Sequence, residues 1–158
     1  VFKDEMEFKD MNNNLFALSK SDDSVVITFT KPNVSYHLFK YKDDYNNEIL
    51  QKGYFVKLNN EGANFILKKK TVLFFNEKLS KTGYDLAKPA TYKKVKDRTY
   101  IKLANKEAAV LLETNKKKLV KQLFPSNSKV ILDFIKSNKI KLKKDADLIK
   151  FAAFLNTL

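Results

Sequence analysis

Apolar and polar residues alternate over short segments in the first two thirds of the chain, which is the pattern of half-buried β-strands. Residues 25–29 are β-branched and aromatic, with turn-forming residues on both sides. Similar alternation at 36–41 and 53–58 predicts two further strands. The polar segment 59–62 predicts a turn, after which 65–75 returns as one long strand or two short ones. Short strands between polar turns predict an antiparallel meander, a sandwich or a rolled sheet.

A second hairpin is predicted later in this part of the chain. Residues 92–96 and 100–103 alternate around the polar pair 97–98, and residues 109–112 are placed to close the sheet. The segment 78–90 contains glycine and proline, so we expect a loop there and the main boundary inside the β region.

The apolar spacing changes to three and four residues near position 115. Asn115 is predicted to cap a helix over 116–124, and Pro125 interrupts that helix. A second helix is expected to start at Ser126 or Ser128, since both serines are good N-cap residues.

A third helix is predicted close to the end of the sequence. Asn138 is predicted to end the second helix. Asp145 and Asp147 then fall in the first turn of the third, where carboxylates favour the positive end of the helix dipole. The apolar stripe of this helix comprises Leu148, Phe151, Ala152 and Leu155.

The predicted fold class is α+β. Residues 1–114 are expected to form an N-terminal antiparallel β meander or sandwich-like sheet, and residues 115–158 a C-terminal helical region of about three helices. The helices cannot bury their apolar stripes alone, so we expect both regions to pack as one domain. A chain of 158 residues is long enough for such a core.

Residue types that carry out common chemistry are scarce. The chain has no cysteine, which excludes disulfides and thiolate metal sites, and His37 is its only histidine. Its three glycines fit neither a nucleophile elbow nor a phosphate loop. Neighbouring carboxylates lie in turns, where adjacent side chains point apart. We therefore predict no catalytic residue, no metal site and no cofactor, and classify the chain as a non-enzyme.

One segment has the alternating oxygen ligands of a calcium loop. Asp44, Asn46 and Glu48 are spaced two apart, but the glycine at position six and the distant bidentate acid of an EF-hand are missing. The segment is better explained as a solvated turn.

The chain carries a formal net charge of +13, which favours polyanionic partners. Of its 31 basic residues only Arg98 is an arginine, the type favoured for bidentate phosphate and base contacts. The abundance of lysine is typical of coding bias in an AT-rich genome and of solvated surfaces. The lysines are densest between 116 and 150, where the outer faces of the predicted helices explain them.

A candidate interaction surface lies on the predicted second hairpin. Alternation places Tyr92, Lys94 and Lys96 on one face of a strand, and Tyr100 and Lys102 on one face of the next. Aromatic residues between lysines can stack on bases and contact phosphates. The alternative is a cross-strand tyrosine pair covered by lysine stems, which stabilises the sheet and binds nothing.

Several short motifs resemble the C-terminal portion of uncharacterised, signal-peptide-bearing proteins of Gram-negative bacteria with AT-rich genomes. They are KDEMEF at 3–8, TGYDLAKPATY at 82–92, DRTYIK at 97–102, KQLFP at 121–125, IKSNKI at 135–140 and DLI at 147–149. The resemblance covers most of the sequence. It implies a periplasmic or secreted location and a segment missing before Val1, and it carries over no catalytic residue.

These observations favour a non-enzymatic interaction or structural module of the cell envelope. A protein or an envelope polymer is then the expected partner, in preference to a small molecule. The alternative is a basic nucleic-acid-binding domain that uses the tyrosine- and lysine-bearing strands. No apolar run reaches the roughly 20 residues that span a bilayer, so no transmembrane segment is predicted.

Overall fold

The computed structural model describes residues 4–43, 49–80 and 86–158. They form strands first and helices afterwards, which confirms the predicted α+β class. The strands are β1 (Glu7–Lys9), β2 (Leu15–Ala17), β3 (Val26–Phe29), β4 (Val34–Lys42), β5 (Gln51–Lys57), β6 (Phe65–Lys69), β7 (Val72–Phe75), β8 (Thr91–Lys94), β9 (Arg98–Lys102) and β10 (Ala109–Leu111). The helices are α1 (Lys116–Leu123), α2 (Ser128–Ser137) and α3 (Asp145–Leu155).

Five of the strands close into a barrel, so the rolled sheet is the alternative that the molecule adopts. The strands β4, β5, β6, β9 and β10 pair in that order, and β10 returns to β4. The pairs along the meander are antiparallel, whereas Ala109 and Val110 pair in parallel with Tyr41 and Lys42. An up-and-down barrel with an odd number of strands requires one parallel pair where it closes. Closure also removes the exposed edges of these strands.

Aromatic side chains fill the barrel interior. Tyr41, Phe55 and Tyr100 contact one another edge to face, with ring centroids 5.2–5.6 Å apart. Leu67 and Ala109 complete this buried cluster. Alternate residues of the same strands point outward, as the period of two requires.

The outer wall of the barrel is covered on two sides. Ile66 and Ile101 point outward from β6 and β9 and pack against the buried stripes of all three helices, which include Leu119, Ile135 and Phe151. On the opposite side, Met6 from the N-terminal segment packs with Leu38 and Tyr54, which lie on the outer face of β4 and β5. The helices therefore share their core with the sheet.

The helix boundaries follow local capping chemistry. The Asn115 side chain accepts a hydrogen bond from the Lys118 backbone N–H at 3.2 Å, as predicted. Helix α2 begins at Ser128, one of the two predicted starts, but its N-cap is Asn127 and not a serine. Asn138 caps the end of α2, as expected.

The predicted hairpin of residues 92–96 with 100–103 does not form. Strand β9 pairs with β6 and β10, and β8 pairs with β7. Tyr100 and Ile101 are buried on opposite faces of β9, so this strand lies in the middle of the barrel wall with both edges occupied. No edge of β9 therefore remains for β8. Residues 65–75 form two strands, because β6 pairs with β9 in the barrel whereas β7 pairs with β8.

The longest described helix, α3, has 11 residues. Within the described ranges, no helix has the length and apolar character needed to cross a membrane.

Candidate functional site: an exposed β-ribbon and a polar barrel cluster

A two-stranded ribbon projects from the barrel between β6 and β9. We define the ribbon as residues 71–80 and 86–95, the described residues of this element. Its strands β7 and β8 pair antiparallel, with Phe74 opposite Tyr92, and a bridge between Lys78 and Lys88 extends the ladder outward. In the part of the chain that the structure describes, these two strands form a separate sheet.

Both faces of the ribbon expose large apolar side chains. Phe74 and Tyr92 lie on one face, with ring centroids 5.0 Å apart, and Leu73 and Phe75 lie on the other. The four residues are between 42% and 60% exposed. A strand with apolar residues on both faces is normally buried on both sides, as in a parallel sheet. This one is not, so the ribbon is the candidate contact surface of the molecule.

Two exposed leucines stand at the outermost described positions of the ribbon. Leu79 and Leu86, just beyond the Lys78–Lys88 bridge, are 75% and 87% exposed. Among the described large apolar residues only Met11 is more exposed.

Lysines surround these apolar groups. Lys78, Lys88, Lys93 and Lys94 are ribbon residues, and Glu77 is the one acid in the ribbon. The Lys93 ammonium lies 5.3 Å from the centre of the Phe75 ring. Long lysine stems can follow an apolar surface while their charges stay in water. The ribbon is thus apolar and cationic together.

The five residues of the predicted interaction surface are not brought together. Tyr92 and Lys94 share one face of the ribbon, and Lys96 is exposed in the link to β9. Tyr100 is fully buried inside the barrel. Lys102 donates to the carbonyl oxygens of Leu103 and Lys106, and burial lowers its pKa.

The sequence did not predict that β7 pairs with the strand that bears Tyr92 and Lys94. The run Val72, Leu73, Phe74, Phe75 has no polar alternation, which is the pattern of a buried strand. The sequence contained no signal for its exposure, because the pattern within one strand does not report what packs against its faces.

A polar cluster closes one end of the barrel. The Lys69 ammonium lies 2.9 Å from the nearer carboxylate oxygen of Asp4 and also donates to the Tyr41 hydroxyl. That hydroxyl is within hydrogen-bonding distance of the Asp4 carboxylate and lies 2.5 Å from the Gln51 side-chain oxygen. Gly53 leaves room for the cluster, because a Cβ there would lie 3.0 Å from the Tyr41 ring and 3.3 Å from Asp4.

The tyrosines at this end are held in their neutral form. Burial, with the hydrogen bond to Asp4, raises the pKa of Tyr41 well above its usual value. Burial, with the hydrogen bond to Asp43, raises the pKa of Tyr100 in the same way. Asp43 accepts from Tyr100 at 2.6 Å and from Arg98 at 3.2 Å. The Lys69 side chain is only 9% exposed and its partners satisfy one another, so the cluster joins the N-terminal segment to the barrel.

A groove of about 780 Å³ runs between the barrel and the helices. Its cations are largely matched by acids: Lys68 pairs with Asp145 at 2.7 Å, and Lys118 pairs with Glu113 at 3.1 Å. Arg98 pairs with Asp43. The lining therefore does not concentrate charge of one sign.

His37 is part of the barrel wall, and burial together with the nearby Lys57 lowers its pKa. Across residues 4–43, 49–80 and 86–158, no group of three histidines or acids is placed to hold a metal. Asp44, Asn46 and Glu48, the segment with calcium-loop spacing, lie outside the described residues.

Comparison with protein-family models, curated proteins and solved structures finds no match for this chain.

Proposed function

We propose that this chain is a non-enzymatic binding module of the bacterial cell envelope and that it contacts its partner with the ribbon. The observation that carries the proposal is the exposure of apolar side chains on both faces of the ribbon and at its outermost described positions, Leu79 and Leu86. Large exposed apolar surfaces with a polar rim mark interaction sites in proteins. The envelope location is supported by the resemblance described above.

The polar cluster supports the non-enzymatic part of the proposal. A catalytic lysine needs access to its substrate, and the Lys69 ammonium is enclosed and paired with Asp4. Its contacts are those of a structural ion pair in the barrel end.

The test is site-specific photo-crosslinking in cells. A photoreactive residue replaces Leu79 or Leu86 on the ribbon, or Val130 on the outer face of α2 as a matched exposed control. We expect crosslinked products in the envelope fraction from the two ribbon positions and none from Val130. Equal crosslinking from all three positions, or a chain found only in the cytoplasmic fraction, would contradict the proposal.

Nucleic-acid binding is the second candidate, favoured by one observation. The aromatic pair Phe74 and Tyr92 shares its face with Lys78, Lys88 and Lys94, an arrangement that can hold stacked bases and phosphates. Single-stranded oligonucleotides should then bind with an affinity that falls steeply with salt and with Tyr92→Ala. An oligonucleotide affinity that is unchanged by Tyr92→Ala would contradict this candidate function.

A further inference from the structure

We propose that the ribbon binds an anionic lipid bilayer, with Leu79 and Leu86 inserted into the membrane interface and the ribbon lysines at the headgroups. The inference rests on the proposed binding function of the ribbon and names its partner.

The two-sided distribution of apolar residues is the first argument. A protein groove or an oligonucleotide that docks on a two-stranded ribbon covers one of its faces. Here Phe74 and Tyr92 are exposed on one face and Leu73 and Phe75 on the other. A lipid interface surrounds an inserted element and covers both faces together.

The kind of apolar residue is the second argument. The most exposed apolar groups of this element are the aliphatic side chains of Leu79 and Leu86. Aliphatic groups cannot stack on bases, whereas they partition readily into the acyl boundary of a bilayer. The aromatic residues Phe74, Phe75 and Tyr92 lie behind the leucines, in the position that interfacial aromatic belts occupy.

Charge complementarity is the third argument. Lys78 and Lys88 sit directly behind the two leucines, and Lys93 and Lys94 lie further along the same ribbon. Arginine, the residue favoured for base and bidentate phosphate contacts, is absent from the ribbon. Lysines behind an apolar end are suited to the phosphates of an anionic leaflet.

The backbone limits the depth of insertion. In the described part of the ribbon, β7 and β8 pair with each other and with no third strand. Their outer backbone groups need water or headgroups as hydrogen-bond partners, since unpaired groups are costly in hydrocarbon. The ribbon is therefore expected to stop at the interface.

A fluorescence experiment tests the insertion directly, because the chain contains no tryptophan. Leu86→Trp places a single probe on the ribbon end, and Val130→Trp places one on α2 as the control. Vesicles of phosphatidylcholine with about one third phosphatidylglycerol should shift the Leu86→Trp emission to the blue and leave the Val130→Trp emission unchanged. Pure phosphatidylcholine vesicles should produce a much smaller shift.

Vesicle flotation then measures the contribution of the leucines. We expect Leu79→Gln with Leu86→Gln to weaken binding to the anionic vesicles about tenfold or more. The matched control, Val130→Gln with Ile149→Gln, removes two exposed apolar residues from the helices and should bind like the parent chain.

Three results would overturn the lipid proposal. The first is that the chain does not bind vesicles. The second is vesicle binding whose affinity is unchanged by the leucine substitutions and is lost at high salt. The third is binding of oligonucleotides through the ribbon without binding of vesicles. If the chain does not bind vesicles but Leu79 and Leu86 crosslink to a protein in cells, the ribbon remains a binding element and its partner is that protein. If the ribbon positions give no crosslinks and the chain does not bind vesicles, both the proposed function and this inference are wrong.

Discussion

The side-chain amide of Asn156 occupies the space beside Gly62 that any larger residue would need. Asn156 is the C-cap of α3, and its oxygen accepts from the backbone N–H groups of Ala63 and Asn64 at 3.1 and 2.8 Å. Gly62 has φ +86°, and a Cβ built there would lie 2.2 Å from the Asn156 amide. One side chain thus fixes the end of the last helix to the β5–β6 turn.

Gly62→Ala should destabilise the fold by about 1–3 kcal/mol. The substitution combines a left-handed φ with a collision against an amide that its hydrogen bonds hold in place. Urea denaturation measures the loss. In an Asn156→Ala background the collision is gone, so Gly62→Ala should cost clearly less there. An equal cost in both backgrounds would show that the amide does not constrain the turn.

Lys69→Met should lower the free energy of unfolding by about 2–4 kcal/mol, because it leaves the Asp4 carboxylate without its ammonium partner. Methionine keeps most of the apolar stem, so the effect reports the lost charge. Adding Asp4→Asn to Lys69→Met should recover part of the loss, since the unpaired charge is then removed. Denaturation of the single and double variants completes the cycle, and strictly additive effects would argue against a coupled pair.

Stability should fall as the pH rises above about 10. Tyr41 and Tyr100 have pKa values raised above the ordinary 10.0, so the folded chain keeps these protons while the unfolded chain loses them. The unfolded state therefore binds fewer protons above pH 10, and the free energy of unfolding decreases through that window. Alkaline urea titrations measure this slope. Tyr41→Phe with Tyr100→Phe should flatten it, and an unchanged slope would contradict the assignment.

Phe55→Ala should cost about 3–5 kcal/mol, whereas Phe74→Ala should cost less than about 1 kcal/mol. Phe55 is fully buried between Tyr41 and Tyr100, while Phe74 is exposed and contacts Tyr92. Thermal or chemical denaturation of the two variants makes the comparison. A large cost for Phe74→Ala would mean that the ribbon packs on the body of the molecule.

The two helix-capping asparagines should differ in their contribution to stability. Asn115→Ala removes a side-chain hydrogen bond to Lys118 N–H and should cost about 1 kcal/mol. Asn127→Ala removes no such bond and should cost only a few tenths of that amount. Matched urea melts compare them, and similar losses would show that the cap bond contributes little.

The sequence determined the local elements and their order. Alternation located most strands, and the change of spacing near residue 115 located the helices and the Asn115 cap. These features depend on side-chain period and on hydrogen bonds between residues close in the chain, so a single sequence contains them.

Only the tertiary structure decided which strands pair and which side chains are exposed. Barrel closure occupied both edges of β9, buried Tyr100 and left β8 to pair with β7. Packing of the N-terminal segment on the barrel brought Asp4 to Tyr41 and Lys69, which lie on different strands. Strand partners are chosen by burial summed over distant segments, and alternation within one strand reports only that a face is buried, not what covers it.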